Sequence, residues 1–389
     1  MPNGHIDLPV AGGRLAPYTV REPRSFPKPS GSLTRVVYSA AHVVADPWAA
    51  ADPWVDAAMD WDGTLAFRRH LWGLGLGVAE AMDTAQRGMG LGWAQSLELI
   101  RRSVAESRTV PGARIASGAG TDHLAPGRAC SVDEVIAAYE MQCEAIEGVE
   151  GNIILMASRA LVAAARGPDD YRRVYGRVLP QLRHKAVLHW LGEMFDPALA
   201  GYWGHDDHWA AMDVCLDVIR AHADKVDGIK ISLLDKDKEI AMRARLPEGV
   251  RMYTGDDFNY PELIEGADGV HSDALLGIFD PIATAAAAAL GQLAAGDAAG
   301  FRETLTPTVP LSRHMFQAPT RFYKTGVVFM AYLNGHQNHF TMVGGQQSAR
   351  SMLHLAELFR LADAAGLLVE PDRACARMRA VLAGYGVGI

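Results

Sequence analysis

The chain has 389 residues, of which 49% are hydrophobic and 21% charged, with a formal net charge of −8. One α/β barrel takes about 250 residues, so such a chain can bury a large core with roughly a third left for additions. The acidic balance excludes a nucleic-acid or anionic-membrane partner, because both need a basic face.

Residues 1–33 are rich in Pro and Gly and lack periodicity until Leu33, which predicts an arm lying on the surface or on a neighbouring subunit. Met1–Val20 has no basic start followed by an apolar stretch and is read as no signal peptide. The four cysteines, Cys130, Cys143, Cys215 and Cys375, form no CxxC pair and read as small buried hydrophobes of a reducing compartment. The alanine-rich Ile282–Leu293 is too short to span a bilayer, so the expected location is cytoplasmic, with no membrane partner.

From Leu33 onward, strand-like and helix-like stretches alternate. The predicted strands are Arg35–Ser39, Gly75–Met82, Ala113–Ser117, Asn152–Met156, Lys185–Leu191, Gly228–Ser232, Val250–Thr254 and Gly269–Ser272. Helical spacing falls between them, as in Ala94–Glu106, Val132–Glu147, Asp169–Gln181 and His208–His222. Nearly continuous apolar strands in a βα alternation point to a closed parallel (β/α)8 TIM barrel. An open doubly wound sheet is disfavoured because no GxGxxG turn follows a strand. The expected division is an N-terminal arm over 1–33, the barrel over 34–285 and a helical region over 286–389.

Lys230 lies in Val226-Asp-Gly-Ile-Lys-Ile-Ser232, a short apolar run that reads as a buried strand. There an ammonium is costly, and a desolvated amine becomes the nucleophile that Schiff-base chemistry on a carbonyl needs. The plain alternative is a lysine whose head snorkels to solvent. Twenty-five residues after this lysine comes Gly255-Asp-Asp257, then Ala267-Asp-Gly-Val-His-Ser272 and Pro281. This succession resembles the dihydrodipicolinate synthase and N-acetylneuraminate lyase superfamily of class I aldolases, over about Val226–Pro281, and looks like a divergent branch of it. In that superfamily a GIK strand carries the Schiff-base lysine, a G-D-D strand end follows, and a G-A-x-G-x-x-S turn closes the barrel. The C-terminal helices also resemble the superfamily's, where they help build the assembly, so a homo-oligomer (dimer or tetramer) is implied.

In a TIM barrel the chemistry sits at the carboxyl ends of the strands. The second strand ends Met82-Asp-Thr-Ala-Gln86, where the resembled family has a G-T-T-G-E turn whose threonines bind a substrate carboxylate. Thr84 aligns with the first threonine, Ala85 replaces the second, and Asp83 and Gln86 stand at glycine positions. An acid there would repel pyruvate. On the fifth strand His189 aligns with a proton-relaying tyrosine of the family. It reads either as a relay or as a core histidine. The family's arginine falls on Met194, and Arg159 is a substitute anchor or a surface residue. Asp256 and Asp257 either tune Lys230 or cap the next helix. His42, Asp46, His271 and Ser272 are further candidates for polar contacts at the same mouth.

The loop Gly204-His-Asp-Asp-His208 offers His205, Asp207 and His208 as divalent-metal ligands, or simply starts a helix capped by Asp206 or Asp207. Asn334–His339 reads as a polar turn, and no GxSxG elbow supports hydrolase logic. The leading expectation is a lyase that forms an imine between Lys230 and a small-molecule carbonyl substrate, a keto-sugar or keto-sugar acid, with no cofactor. Proton transfer falls to His189 and hydrogen bonding to Thr84. Substrate contacts fall to Asp83, Gln86, Arg159, Asp256, Asp257, His271 and Ser272. A metal-assisted lyase or hydratase and an inactive binding barrel are the alternatives.

Overall fold

The computed structural model describes residues 4–125 and 129–388. Ten strands are present among them: β1 (His5–Val10), β2 (Arg14–Thr19), β3 (Val37–Ala40), β4 (Gly77–Glu80), β5 (Ile115–Ala119), β6 (Asn152–Leu155), β7 (Ala186–Leu191), β8 (Val226–Ser232), β9 (Arg251–Thr254) and β10 (Asp273–Leu276). The last eight close a barrel in the order β10-β3-β4-β5-β6-β7-β8-β9, every neighbouring pair parallel. It is the expected (β/α)8 barrel.

The strands are buried on both faces, which is why they read as continuous apolar runs rather than as alternating ones. Inside, Ala40, Ala79, Ala116, Ile154, Val187, Tyr253 and Leu275 fill the lumen. The Tyr253 hydroxyl reaches the amino-terminal end and donates to Asp227 at 2.6 Å. Asp227 also accepts from Arg251, which plugs that end with charge pairs and leaves the opposite end for chemistry. On the helix Trp61–Gly73, the buried Arg68 makes two bonds to Glu80, at 2.9 and 2.8 Å, and also holds the His42 carbonyl. That fixes the loop after β3.

The eighth strand corrects an expectation. Ala267–Val270 is a tight turn, and the strand runs over Asp273–Leu276 instead of Gly269–Ser272. The amino-terminal segment is also more ordered than its composition suggests. β1 and β2 pair antiparallel about a turn at Gly12 and Gly13, both at positive φ, with Ile6 and Leu8 buried. This hairpin lies on the helix Met352–Ala364: Tyr18 Oη donates to Asp363 at 2.7 Å, and the Arg21 N–H donates to the same carboxylate at 2.9 Å.

After the barrel come the helices Ala283–Ala294, Ala298–Leu305, Val309–Met315, Tyr323–Leu333, Met352–Ala364 and Pro371–Gly384. The helix Tyr323–Leu333 is buried along its whole length. Its first turn reaches the carboxyl end of the barrel, so part of the helical region helps wall the site.

Candidate active site

Lys230 points into the barrel from β8, in register with His189 on β7 and Tyr253 on β9. It is 8% exposed and makes no hydrogen bond or ion pair among the described residues. Burial lowers its pKa from the usual lysine value, against the opposing charges of Asp257 and Asp83. The lysine passes close to β9, where Gly255 is required. A Cβ at that position would stand 2.8 Å from Lys230 Cε, 2.5 Å from the Ile231 carbonyl and 2.3 Å from Ser232 Oγ. The glycine of the G-D-D motif is therefore demanded by close packing against β8, first Ser232 and the Ile231 carbonyl and then Lys230.

Around Lys230 is a narrow chamber of about 20 Å³, lined in part by Asp83, Thr84, Leu191, Phe195, Ser232, Asp257 and Tyr323. Thr84 Oγ1 and Tyr323 Oη share a 2.7 Å hydrogen bond. The Tyr323 ring stacks on Phe316 at 4.3 Å and meets Phe195 edge-on. Burial raises its phenol well above the usual range, so it stays protonated. Asp257 accepts from the Ile278 N–H at 2.9 Å, and burial pushes its carboxyl up to about 7 despite that bond and the Lys230 charge. A carboxyl at that value exchanges protons at neutral pH.

His189 reaches the chamber indirectly. Its Nε2 lies 3.2 Å from Ser232 Oγ, while Nδ1 is buried without a partner among the described residues. Burial, then the Lys230 charge, holds the ring well below its usual pKa, so it is neutral. Any proton it moves passes through Ser232. Position 189 thus carries no phenol, but Tyr323 brings one to the chamber wall, a residue that sequence reasoning missed. No spacing joins it to Thr84, 239 residues earlier.

The structure thus brings together Lys230, Thr84, Asp83 and Asp257. Several expected substrate contacts fall elsewhere. Asp256 is used by its own turn, accepting from the Phe258 and Asn259 N–H groups and from Asn259 Nδ2. Gln86 donates to the Val343 carbonyl at 2.8 Å, tying the turn after β4 to the C-terminal region. His271 and Ser272 precede β10 and so lie at its amino end, opposite the chamber, a consequence of the misplaced strand. Ser272 instead donates to Glu239 at 2.6 Å. The true carboxyl end of β10 carries Asp280, which accepts from the His42 backbone N–H and pairs with His42 Nδ1, both at 2.8 Å. Asp46 caps its own turn at the Trp48 N–H.

Of the candidate metal ligands, Asp207 caps the helix His208–Ala221 through the Trp209 and Ala210 N–H groups. His208 pairs with Glu193 at 3.1 Å. Among the described residues no three His, Cys, Asp or Glu side chains gather as a metal-binding group, and no helix is long and apolar enough to cross a membrane.

Outside the chamber lies a larger cavity of about 410 Å³, sharing Asp83, Leu191, Phe195 and Tyr323 with it. Arg87, Arg159, Asp196, Arg321 and Lys324 also line it. Arg159 is paired there with Asp196. Lys324 is 4% exposed, and burial lowers its pKa to about 8 against the opposing charge of Asp83.

Comparison with known proteins agrees with this architecture. YagE, a prophage protein of E. coli K12 belonging to the dihydrodipicolinic acid synthase family and solved with pyruvate, superposes with a TM-score of 0.64 at 15% identity, covering 86% of this chain and 100% of its own. Dihydrodipicolinate synthase from Bacillus clausii gives 0.61 at 12% identity, covering 84% and 96%. The Aquifex aeolicus enzyme gives 0.59 at 10%, covering 91% and 99%. Among curated protein sequences none matches. With residues 6–387 matching the family described as "Protein of unknown function (DUF993)", the chain belongs to that family, and its fold is that of the dihydrodipicolinate synthase structures.

Proposed function

We propose that the protein is a class I aldolase or lyase that makes or breaks a carbon–carbon bond through an imine on Lys230. The observation that carries this reading is a buried, unpaired lysine in a narrow chamber whose wall also holds groups able to give and take protons. The neutral Nζ attacks the substrate carbonyl carbon, whose oxygen takes a proton. The carbinolamine then loses water as the nitrogen lone pair forms the protonated imine. That imine accepts the electron pair of the breaking bond and becomes an enamine. Protonation at carbon and hydrolysis return the free amine. In the synthetic direction the same steps run backwards.

Tyr323, hydrogen-bonded to Thr84, is placed to protonate the departing hydroxyl. Asp257, with its carboxyl near 7, is suited to take the proton that Lys230 loses. His189 and Ser232 offer a second route for protons. Asp83 leaves the chamber wall acidic, which supports a polyhydroxylated keto compound over a 2-oxo acid whose carboxylate would lie beside the imine.

The test is borohydride reduction with a panel of keto-sugars and keto-acids, read by intact mass and by peptide mapping to Lys230. A homodimer or homotetramer belongs to the same reading. The exposed Trp48 and Trp54, 93% and 82% accessible, are surfaces an assembly would cover, and sedimentation of the full chain measures it.

A further inference from the structure

Lys324 has no part in the imine chemistry above, yet it is a buried cation facing the outer cavity. Its Nζ donates to the Arg321 carbonyl at 3.0 Å and lies 3.3 Å from Met89 Sδ, with its charge 5.0 Å from the centre of the Tyr323 ring. Among the described residues no carboxylate ion-pairs with it. Burying an ammonium on a thioether and one carbonyl costs several kcal/mol unless another charge arrives.

The other cations of the cavity differ. Arg87 is consumed by Asp122, Gln142 and the carbonyls of Ala81 and Gly118, and Arg159 by Asp196. Arg321, exposed at the rim, lies over the Phe322 ring and makes no ion pair among the described residues. Two positive charges are thus left uncompensated by direct contact.

Size separates the two compartments. A water needs about 10–15 Å³ of such volume, so the inner chamber of about 20 Å³ admits little beyond the reacting carbonyl. The rest of a substrate must lie in the outer cavity of about 410 Å³. Asp83 lines both compartments and opposes an anion in either, whereas Lys324 and Arg321 line the outer cavity and not the inner chamber, so it is these cations that favour negative charge further out.

We propose that Lys324, with Arg321 at the rim, binds an anionic group at the end of the substrate remote from the carbonyl held at Lys230. The substrate class is then a carbonyl compound whose phosphate or carboxylate lies several bonds from the reacting carbon. The carbonyl half of this statement rests on the aldolase reading; the anion site does not. A lysine near 8 is mostly charged at neutral pH, and a bound anion holds it so.

The experiment has two arms. In the first, calorimetry measures inorganic phosphate and acetate binding to the Lys230→Met protein, alone and combined with Lys324→Met or Lys324→Arg. Methionine removes a buried charge at nearly constant volume, so the variant is expected to fold. Binding should weaken by at least about tenfold with methionine and survive with arginine. In the second arm, borohydride trapping on the full chain compares dihydroxyacetone with its phosphate, and 2-butanone with 4-oxopentanoate. The anionic member of at least one pair should trap at a concentration lower by about tenfold or more, a preference that Lys324→Met abolishes. Preference within the first pair alone names phosphate, and within the second alone a carboxylate. Loss of anion binding in Lys324→Met without any Lys230 adduct in the trapping arm would remove the aldolase reading and keep the anion site. Anion binding that is absent, or is untouched by Lys324→Met, overturns the proposal. So does a preference that survives the substitution.

Discussion

Replacing Gly255 by Ala probes whether the strand next to Lys230 is built around that lysine. The added methyl would sit 2.8 Å from Lys230 Cε, 2.5 Å from the Ile231 carbonyl and 2.3 Å from Ser232 Oγ. The serine hydroxyl can rotate away. The carbonyl cannot, because it accepts the Gly255 N–H at 3.0 Å where β8 and β9 run side by side. Ordinary contact begins near 3.4 Å, so Cε must retreat by about 0.6 Å (3.4 − 2.8), and the strands must part by up to about 0.9 Å (3.4 − 2.5) to clear the carbonyl. Overpacking of this kind costs about 1–3 kcal/mol, and hence, for a chain of 389 residues, a Tm drop of roughly 1–4 °C. Function should suffer more than stability, because a misplacement of about 1 Å costs on the order of 10²-fold in rate. Stopped borohydride trapping gives the rate of adduct formation, and calorimetric melting gives the stability. A Gly255→Ala protein with both the trapping rate and the Tm of the wild type would refute the packing argument and weaken the case for the lysine's role.

Tyr323→Phe keeps the stack on Phe316 but removes the hydroxyl bonded to Thr84, and should slow imine formation by about 10²–10⁴-fold. A melting temperature lowered in place of the rate would mark the hydroxyl as structural. Asp257→Asn tests the buried carboxyl. Its folded pKa of about 7 exceeds the unfolded 3.8, so its favourable contribution is complete below 3.8 and lost as pH rises through 7. The substitution should therefore raise Tm more at pH 8 than at pH 4, with a ceiling on the order of 4 kcal/mol. Equal shifts at both pH values would contradict that environment. Asp207→Ala should cost about 1 kcal/mol as a lost helix cap while trapping continues. Prolonged EDTA treatment and His205→Ala should also leave trapping intact, and a loss under either would favour the metal-assisted lyase.

The barrel was legible because its strands, buried on both faces, read as short apolar runs punctuated by helical spacing. The strand that carries Lys230 was expected over Gly228–Ser232 and runs over Val226–Ser232, with the same carboxyl end and a start two residues earlier. The eighth strand slipped because Ala267-Asp-Gly-Val270 looks like the start of a strand but forms a turn, and His271 and Ser272 slipped with it to the wrong end of the barrel. Neither acid of the pair caps the next helix as the plain reading expected: Tyr260–Glu265 has Asn259 at its N-cap with no side-chain cap bond, Asp256 closes the turn before it, and Asp257 accepts from the Ile278 N–H. The amino-terminal hairpin was missed since Ile6 and Leu8 give only one period of alternation, too short to register beside Pro and Gly. Tyr323 and Lys324 were beyond reach for another reason. Their position depends on how a helix of the C-terminal region packs over the barrel mouth, and periodicity marks that helix as buried without saying against what.

The most direct measurement of the central claim is intact-mass analysis after borohydride reduction in a mixture of keto-sugars and keto-acids, compared between wild type and Lys230→Ala. The chain has seven lysines, of which Lys230 and Lys324 are buried, and peptide mapping separates the two. The account predicts a single adduct on Lys230, absent from the variant while its melting profile is preserved. An adduct that maps to Lys324, or that persists in Lys230→Ala, would contradict it.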